Sequence, residues 1–122
     1  MVIMRQIDEK AIVSIDALPK QLQQSYEESQ LISVPDEYKK VKNIVVCGMG
    51  GSRFPALIIM QLFKTKLRIP IVVNDDYHLP GFVNEETLVI LSSYSGTTEE
   101  IITVGKEAKG KKAKLTGLCA GG

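Results

Sequence analysis

The sequence predicts an α/β fold of three layers, a parallel sheet with helices on both faces. Two observations carry this expectation. From Asn43 onward, short β-rich runs alternate with helical stretches, which implies parallel pairing through right-handed crossovers. Ile44-Val45-Val46-Cys47 is apolar without interruption and ends at Gly48, as suits a strand buried on both faces.

The elements follow in order. Asp16 reads as the cap of a helix reaching Gln30, with Pro19 tolerated in its first turn. Leu18, Leu22 and Tyr26 give that helix one apolar stripe, expected to pack on another element. Ser33–Lys42, with Pro35 and three lysines, reads as an exposed connection. The expected organisation is therefore a helical extension over 1–42 and a domain over 43–122. Within the domain, Ile44–Cys47 is the first strand. Pro55–Lys64, rich in Leu57, Ile58, Met60, Leu62 and Phe63, is a helix expected to be well buried. Ile69–Val73 is the second strand, stopping at Asn74-Asp75-Asp76, and a loop with Pro80-Gly81 follows. Thr87–Leu91 is the third strand and Thr98–Lys109 the next helix, ended by Gly110. Ala113–Cys119 is the fourth strand. The sequence then closes on Ala120-Gly121-Gly122 with no covering helix, so a partial domain is expected.

Composition narrows the function classes. The 122 residues are 44% hydrophobic and 24% charged with a net charge of +1, an ordinary globular balance. No global field favours nucleic acid or an anionic membrane. The longest apolar runs fall far short of the about 20 residues of a membrane span. Met1–Lys10 lacks the apolar core of a signal peptide, so a cytoplasmic protein is expected. Cys47 and Cys119 lie in strand-like runs without a Cys-x-x-Cys, and His78 is the single histidine. No metal and no cofactor are expected, and both cysteines read as buried free thiols. Lys106, Lys109, Lys111, Lys112 and Lys114 form a basic run without interleaved aromatics, which reads as a solvated helix end rather than a nucleic-acid surface.

Two loops carry the chemistry. Gly48-Met49-Gly50-Gly51-Ser52 joins a strand to a helix. Its glycines let backbone N–H groups approach an anion, and the helix start adds unpaired donors and partial positive charge. A tight turn with Ser52 as N-cap is the bland alternative. A dinucleotide site lacks its third glycine, because Arg53 stands there, although Asp75-Asp76 lies where a ribose carboxylate would. A Walker loop is excluded, since no Gly-Lys-Ser/Thr is present.

The second loop is Ser92-Ser93-Tyr94-Ser95-Gly96-Thr97-Thr98-Glu99-Glu100. Its hydroxyls and the following helix start supply donors to a phosphate without a lysine or arginine clamp. Thr97-x-x-Glu100 also fits a capping box, which uses one hydroxyl and leaves Ser93, Ser95 and Thr98 unexplained. A serine nucleophile is not indicated, for Gly-x-Ser-x-Gly is absent. In a sheet of order 2-1-3-4 both loops face one another at the switch point.

Gly-Met-Gly-Gly-Ser followed by Ser-Tyr-Ser-Gly-x-Thr-Glu-Glu resembles the sugar isomerase (SIS) domain, most like the first half of bifunctional phosphoglucose/phosphomannose isomerases. The resemblance runs from about Pro19 to Gly122. It implies a flavodoxin-like sheet and an aldose–ketose isomerase of glucose 6-phosphate or mannose 6-phosphate. It also implies phosphate binding by Ser52, Ser93, Ser95 and Thr98, with the backbones of Gly50, Gly51, Gly96 and Thr97. Arg53, where the family commonly has a small residue, and Tyr94 are candidate sugar contacts. The family's glutamate base and its histidine are expected beyond Gly122, so no catalytic base is assigned here. Glu99 and Glu100 read as first-turn residues and His78 as a loop histidine. Expected partners are a sugar phosphate and either a second copy or a second SIS domain. The alternative function is a non-catalytic SIS module that senses a sugar phosphate or mediates assembly.

Overall fold

The computed structural model describes residues 9–121. Readings that touch Met1–Asp8 or Gly122, namely the charged N-terminus and the closing glycine pair, lie partly outside the described residues. The chain divides into two compact units between Val34 and Pro35.

The first unit holds two helices, α1 (Glu9–Asp16) and α2 (Leu18–Ser29), where one was expected. Asp16 ends α1 and is not a cap. The Ala17 N–H still donates to the Val13 carbonyl at 3.1 Å, so the helical path runs through Asp16. The break comes from Pro19, which has no N–H to continue the ladder. Neither helix buries a side chain, and Leu18, Leu22 and Tyr26 are exposed, contrary to the packed stripe expected of them.

The second unit contains β1 (Asn43–Gly48), α3 (Phe54–Leu62), β2 (Ile71–Asn74), β3 (Thr87–Ser92), α4 (Glu99–Gly110) and β4 (Lys114–Leu118). The four strands form one parallel sheet of order β2-β1-β3-β4. This is the doubly wound order that the alternation implied. In register, Val45 lies between Val72 and Val89, and Cys47 between Asn74 and Leu91. Side chains alternate along β1: Val45 and Cys47 are fully buried, whereas Ile44 and Val46 on the other face are half-buried. The buried face packs on Ile101, Val104 and Ala108 of α4, with Leu79 and Val83 closing the cluster. At about 25 cal/mol per Å² of apolar area, this is the face that stabilises the sheet most.

The well-buried helix expected over Pro55–Lys64 is corrected. Only Ala56 of α3 is buried, while Leu57, Ile58, Leu62 and Phe63 are exposed. A helix apolar on every side turns just one of those sides to the sheet. Between α3 and the strands remains an apolar hollow of about 280 Å³, lined by Ile44, Val46, Ala56, Ile59 and Ile90.

Smaller differences have local causes. β2 begins at Ile71 because Pro70 cannot donate to a ladder, although its carbonyl accepts from the Ile44 N–H at 3.0 Å. α4 includes Gly110, and Lys112 takes the left-handed turn (φ 58°) while the Ala113 N–H reaches back to the Ala108 carbonyl at 3.0 Å. The connection before β1 is not exposed throughout. Val41 is buried, and Tyr38, in a 3-10 turn, donates its hydroxyl to the Leu115 carbonyl at 2.7 Å. Cys47 is buried as expected, but Cys119 lies just past β4 and is exposed. No helix among the described residues is long and apolar enough to cross a membrane.

Candidate functional site

β1 and β3 are adjacent and parallel, with Gly48 opposite Ser92, so the loops leaving their carboxyl ends begin side by side. They touch directly. The Ser92 hydroxyl donates to the Ser52 carbonyl at 2.8 Å. Each loop turns on a glycine in the left-handed region, Gly50 at φ 52° and Gly96 at φ 72°, where an L side chain costs roughly 1–2 kcal/mol. Gly50–Arg53 forms a 3-10 turn ahead of α3. Ser52 lies within that turn and does not cap α3, whose N-cap is Arg53 without a side-chain capping bond.

The second loop is knitted by its own hydroxyls. Ser93, only 5% exposed, lies 2.8 Å from the Thr98 hydroxyl and accepts the Gly96 N–H at 3.1 Å. Ser95 lies 3.5 Å from the Thr98 hydroxyl, and accepts the Thr97 N–H and the Thr97 hydroxyl, each at 3.2 Å. The N-cap of α4 is Thr98, and it makes no side-chain capping bond. The Thr97–Glu100 capping box, the bland alternative for this loop, is therefore not formed. Thr98 spends its hydroxyl on Ser93 and Ser95, which leaves the first-turn N–H groups of α4 without the usual side-chain acceptor. Unpaired donors at the positive end of a helix of this length suit an anion.

A cleft of about 290 Å³ runs between the loops, walled by Ser52, Pro55, Ser92, Ser93 and Tyr94, with Cys119 beyond. Tyr94 stands at its rim, 82% exposed. Gly96 and Ser93 also border an adjoining hollow of about 180 Å³ against Ile101 and Gly117. Gly50, Gly51, Ser95, Thr97 and Thr98 are not walls of the main cleft; Ser95 and Thr98 connect to it through the hydroxyl network. Arg53 turns to the β2 side and pairs with Asp75.

Titratable groups around the site have clear surroundings. Burial pushes the Cys47 thiol up to about 11, a hydrogen bond from Asn74 opposes this, and the Glu107 charge adds to it. Cys47 is thus held as an inert thiol. Desolvation, then Glu100 and Glu99, raise the Tyr77 phenol above its ordinary range. Glu107 accepts the Leu79 N–H at 3.1 Å and lies 3.7 Å from Nδ1 of the mostly exposed His78, in keeping with a loop role for that histidine. Asn74, buried at the end of β2, donates to the Asp76 carbonyl at 3.3 Å. Neither Asn74 nor Glu107 was singled out as organising the loops. Nothing local in the sequence distinguishes Glu107, because its partner Leu79 is distant along the chain, and Asn74 makes its bond to Asp76 only in the turn that follows β2. Among the described residues no cluster of histidine, cysteine and carboxylate side chains could hold a metal ion.

Residues 37–122 match the family model described as the SIS domain. The chain belongs to the SIS domain family. Its sequence is 40% identical over 109 residues to the bifunctional phosphoglucose/phosphomannose isomerase of Caldicellulosiruptor bescii, covering 89% of this chain and 32% of that protein. The isomerase of the same name from Thermoplasma acidophilum is 44% identical over 80 residues, 66% of this chain and 25% of its own length. A more distant relative is the glutamine–fructose-6-phosphate aminotransferase (isomerizing) of Chlorobaculum tepidum, 33% identical over 87 residues, 69% of this chain and 14% of that protein. The SIS chain spans about a third or less of the length of these curated relatives.

Proposed function

We propose that residues 43–122 bind the phosphate of a phosphorylated sugar. Gly50, Gly51, Ser52, Ser93, Ser95, Gly96, Thr97 and Thr98 form the cradle, and Tyr94 at the rim meets the sugar. The observation that carries this reading is the N-cap of α4. Thr98 joins a hydroxyl cluster with Ser93 and Ser95 instead of capping its own helix, and Ser93 carries that cluster to the wall of the cleft. Neutral donors of this kind hold a dianion less tightly than an arginine cluster, which suits a ligand that must exchange. Of Asp75-Asp76, the acidic pair that a dinucleotide reading would use, Asp75 is already paired with Arg53.

The parent activity we infer is aldose–ketose isomerisation, interconverting glucose 6-phosphate or mannose 6-phosphate with fructose 6-phosphate in the cytoplasm. The names of the relatives support it. Moving a proton between C1 and C2 requires a base close to both carbons. The carboxylates next to the cradle in sequence, Glu99 and Glu100, occupy the first turn of α4. We assign no base among the described residues and infer that it is supplied from outside them. A coupled assay for fructose 6-phosphate conversion, run on this chain and on a full-length relative, is expected to show turnover only in the latter. Turnover by the 122-residue chain would contradict the placement of the base.

The second reading, a non-catalytic SIS module, draws on the same absence of a base. Association with a second copy or a second SIS domain is part of the proposal, supported by the exposed Leu57, Ile58 and Leu62 of α3 and by Phe63 just after it. Sedimentation velocity at micromolar concentration checks it, and a strictly monomeric chain argues against self-association.

A further inference from the structure

The glycine loop is held from two sides. On the β3 side, Ser92 donates its hydroxyl to the Ser52 carbonyl at 2.8 Å. On the β2 side, Nη1 of Arg53 pairs with Oδ2 of Asp75, the residue that directly follows β2. Between these ties the loop presses on its own strand. A Cβ on Gly48 would lie 3.1 Å from the Arg53 nitrogen and from the Ser52 carbonyl group. Nε of Arg53 is buried with no hydrogen-bond partner, so the side chain is laid down against the protein and only its tip is engaged, by Asp75. β2 is separated from β3 by β1, so the guanidinium is drawn to the side of the sheet opposite Ser93 and Ser95.

We propose that Arg53 and Asp75 are positioning residues, a clamp that fixes the Gly50–Ser52 turn in the orientation that serves the phosphate. The inference rests on the phosphate reading above. Arg53 contributes through the loop it anchors, not as a cationic ligand. The pair spans neighbouring strand ends in a way that neither residue's own segment dictates. Both side chains are partly exposed, so the pair adds little to global stability, and its effect is local to the turn.

The test uses the whole chain, with calorimetric titration by fructose 6-phosphate and amide hydrogen exchange at residues 50–53. The variants are Asp75→Asn, Arg53→Gln, their combination, and the charge exchange Arg53→Asp with Asp75→Arg. Each single variant is expected to weaken binding by roughly threefold to fivefold and to speed exchange in the turn. The double variant should be no weaker than either single one, because one interaction is lost in all three. The charge exchange should restore affinity to within about twofold, a rescue that a merely destabilised protein would not show. A direct phosphate contact by Arg53 predicts otherwise: Asp75→Asn binds as well as or better than wild type, and the exchange variant stays weak. That pattern, or unchanged exchange in the turn, overturns the clamp alone. Wild type that binds no sugar phosphate overturns the phosphate reading, and with it the purpose assigned to the clamp.

Discussion

Replacing Ser95 and Thr98 together by alanine is expected to weaken sugar-phosphate binding by about thirtyfold to a thousandfold, at roughly 1–2 kcal/mol for each donor lost to a charged acceptor. Thr98 is the junction of the cluster, 2.8 Å from Ser93 and 3.5 Å from Ser95. Its removal leaves the buried Ser93 hydroxyl without that partner. Ser95 holds the Thr97 N–H and hydroxyl, so its loss also loosens the turn ahead of α4. The fold should survive, because the core lies on the other elements of α4 and the sheet, through Val45, Val89 and Val104. Calorimetry with fructose 6-phosphate reads the loss, and circular dichroism confirms the fold. Ser29→Ala, in α2, serves as the control. Its hydroxyl bonds only within that helix and the adjoining Gln30, and affinity should not change. Unchanged affinity in the Ser95/Thr98 variant would sink the assignment of the hydroxyl loop.

The second large effect is a loss of stability in alkali that Cys47 causes. Burial raises its thiol from an ordinary 9.0 to about 11 in the folded chain. The unfolded chain therefore ionises first. Stability that comes from keeping the thiol protonated is complete below about pH 9, declines as pH rises, and is gone above about 11. A difference near two units corresponds to about 3 kcal/mol over that window. Urea unfolding at pH 8 and at pH 10.5 should show the decline in wild type. In Cys47→Ala, stability at pH 8 should be lower, by about 1 kcal/mol for the lost packing, but the extra fall toward pH 10.5 should shrink. Parallel pH profiles in both proteins would show that Cys47 is not the group responsible.

Much of the fold was legible because it depends on local pattern. The run Ile44–Cys47 and the alternation after it define strands and crossovers, and crossovers of one hand leave few strand orders open. The two loops were legible for a related reason: positive φ at Gly50 and Gly96 is something composition can signal. Illegible features depend on choices among equivalent partners. Thr98 could bond the helix or its neighbouring hydroxyls, and only the folded loop decides. Pro55–Lys64 is apolar on all sides, which says nothing about the side that meets the sheet. Lys112 adopts a conformation for which the sequence offers no glycine. Arg53 and Asp75 are brought together by strand order rather than by spacing, and Asp16 lost its capping role to a break set by Pro19.

The central claim is that the glycine loop and the hydroxyl loop hold one phosphate between them. Amide chemical shifts of the isotope-labelled chain, followed during titration with fructose 6-phosphate and then with unphosphorylated fructose, test it most directly. The account predicts saturable shifts at Gly50–Ser52 and from Ser93 through the first turn of α4 with the phosphate ester, and none with fructose. Shifts absent from either loop, or equal for the two sugars, would contradict it.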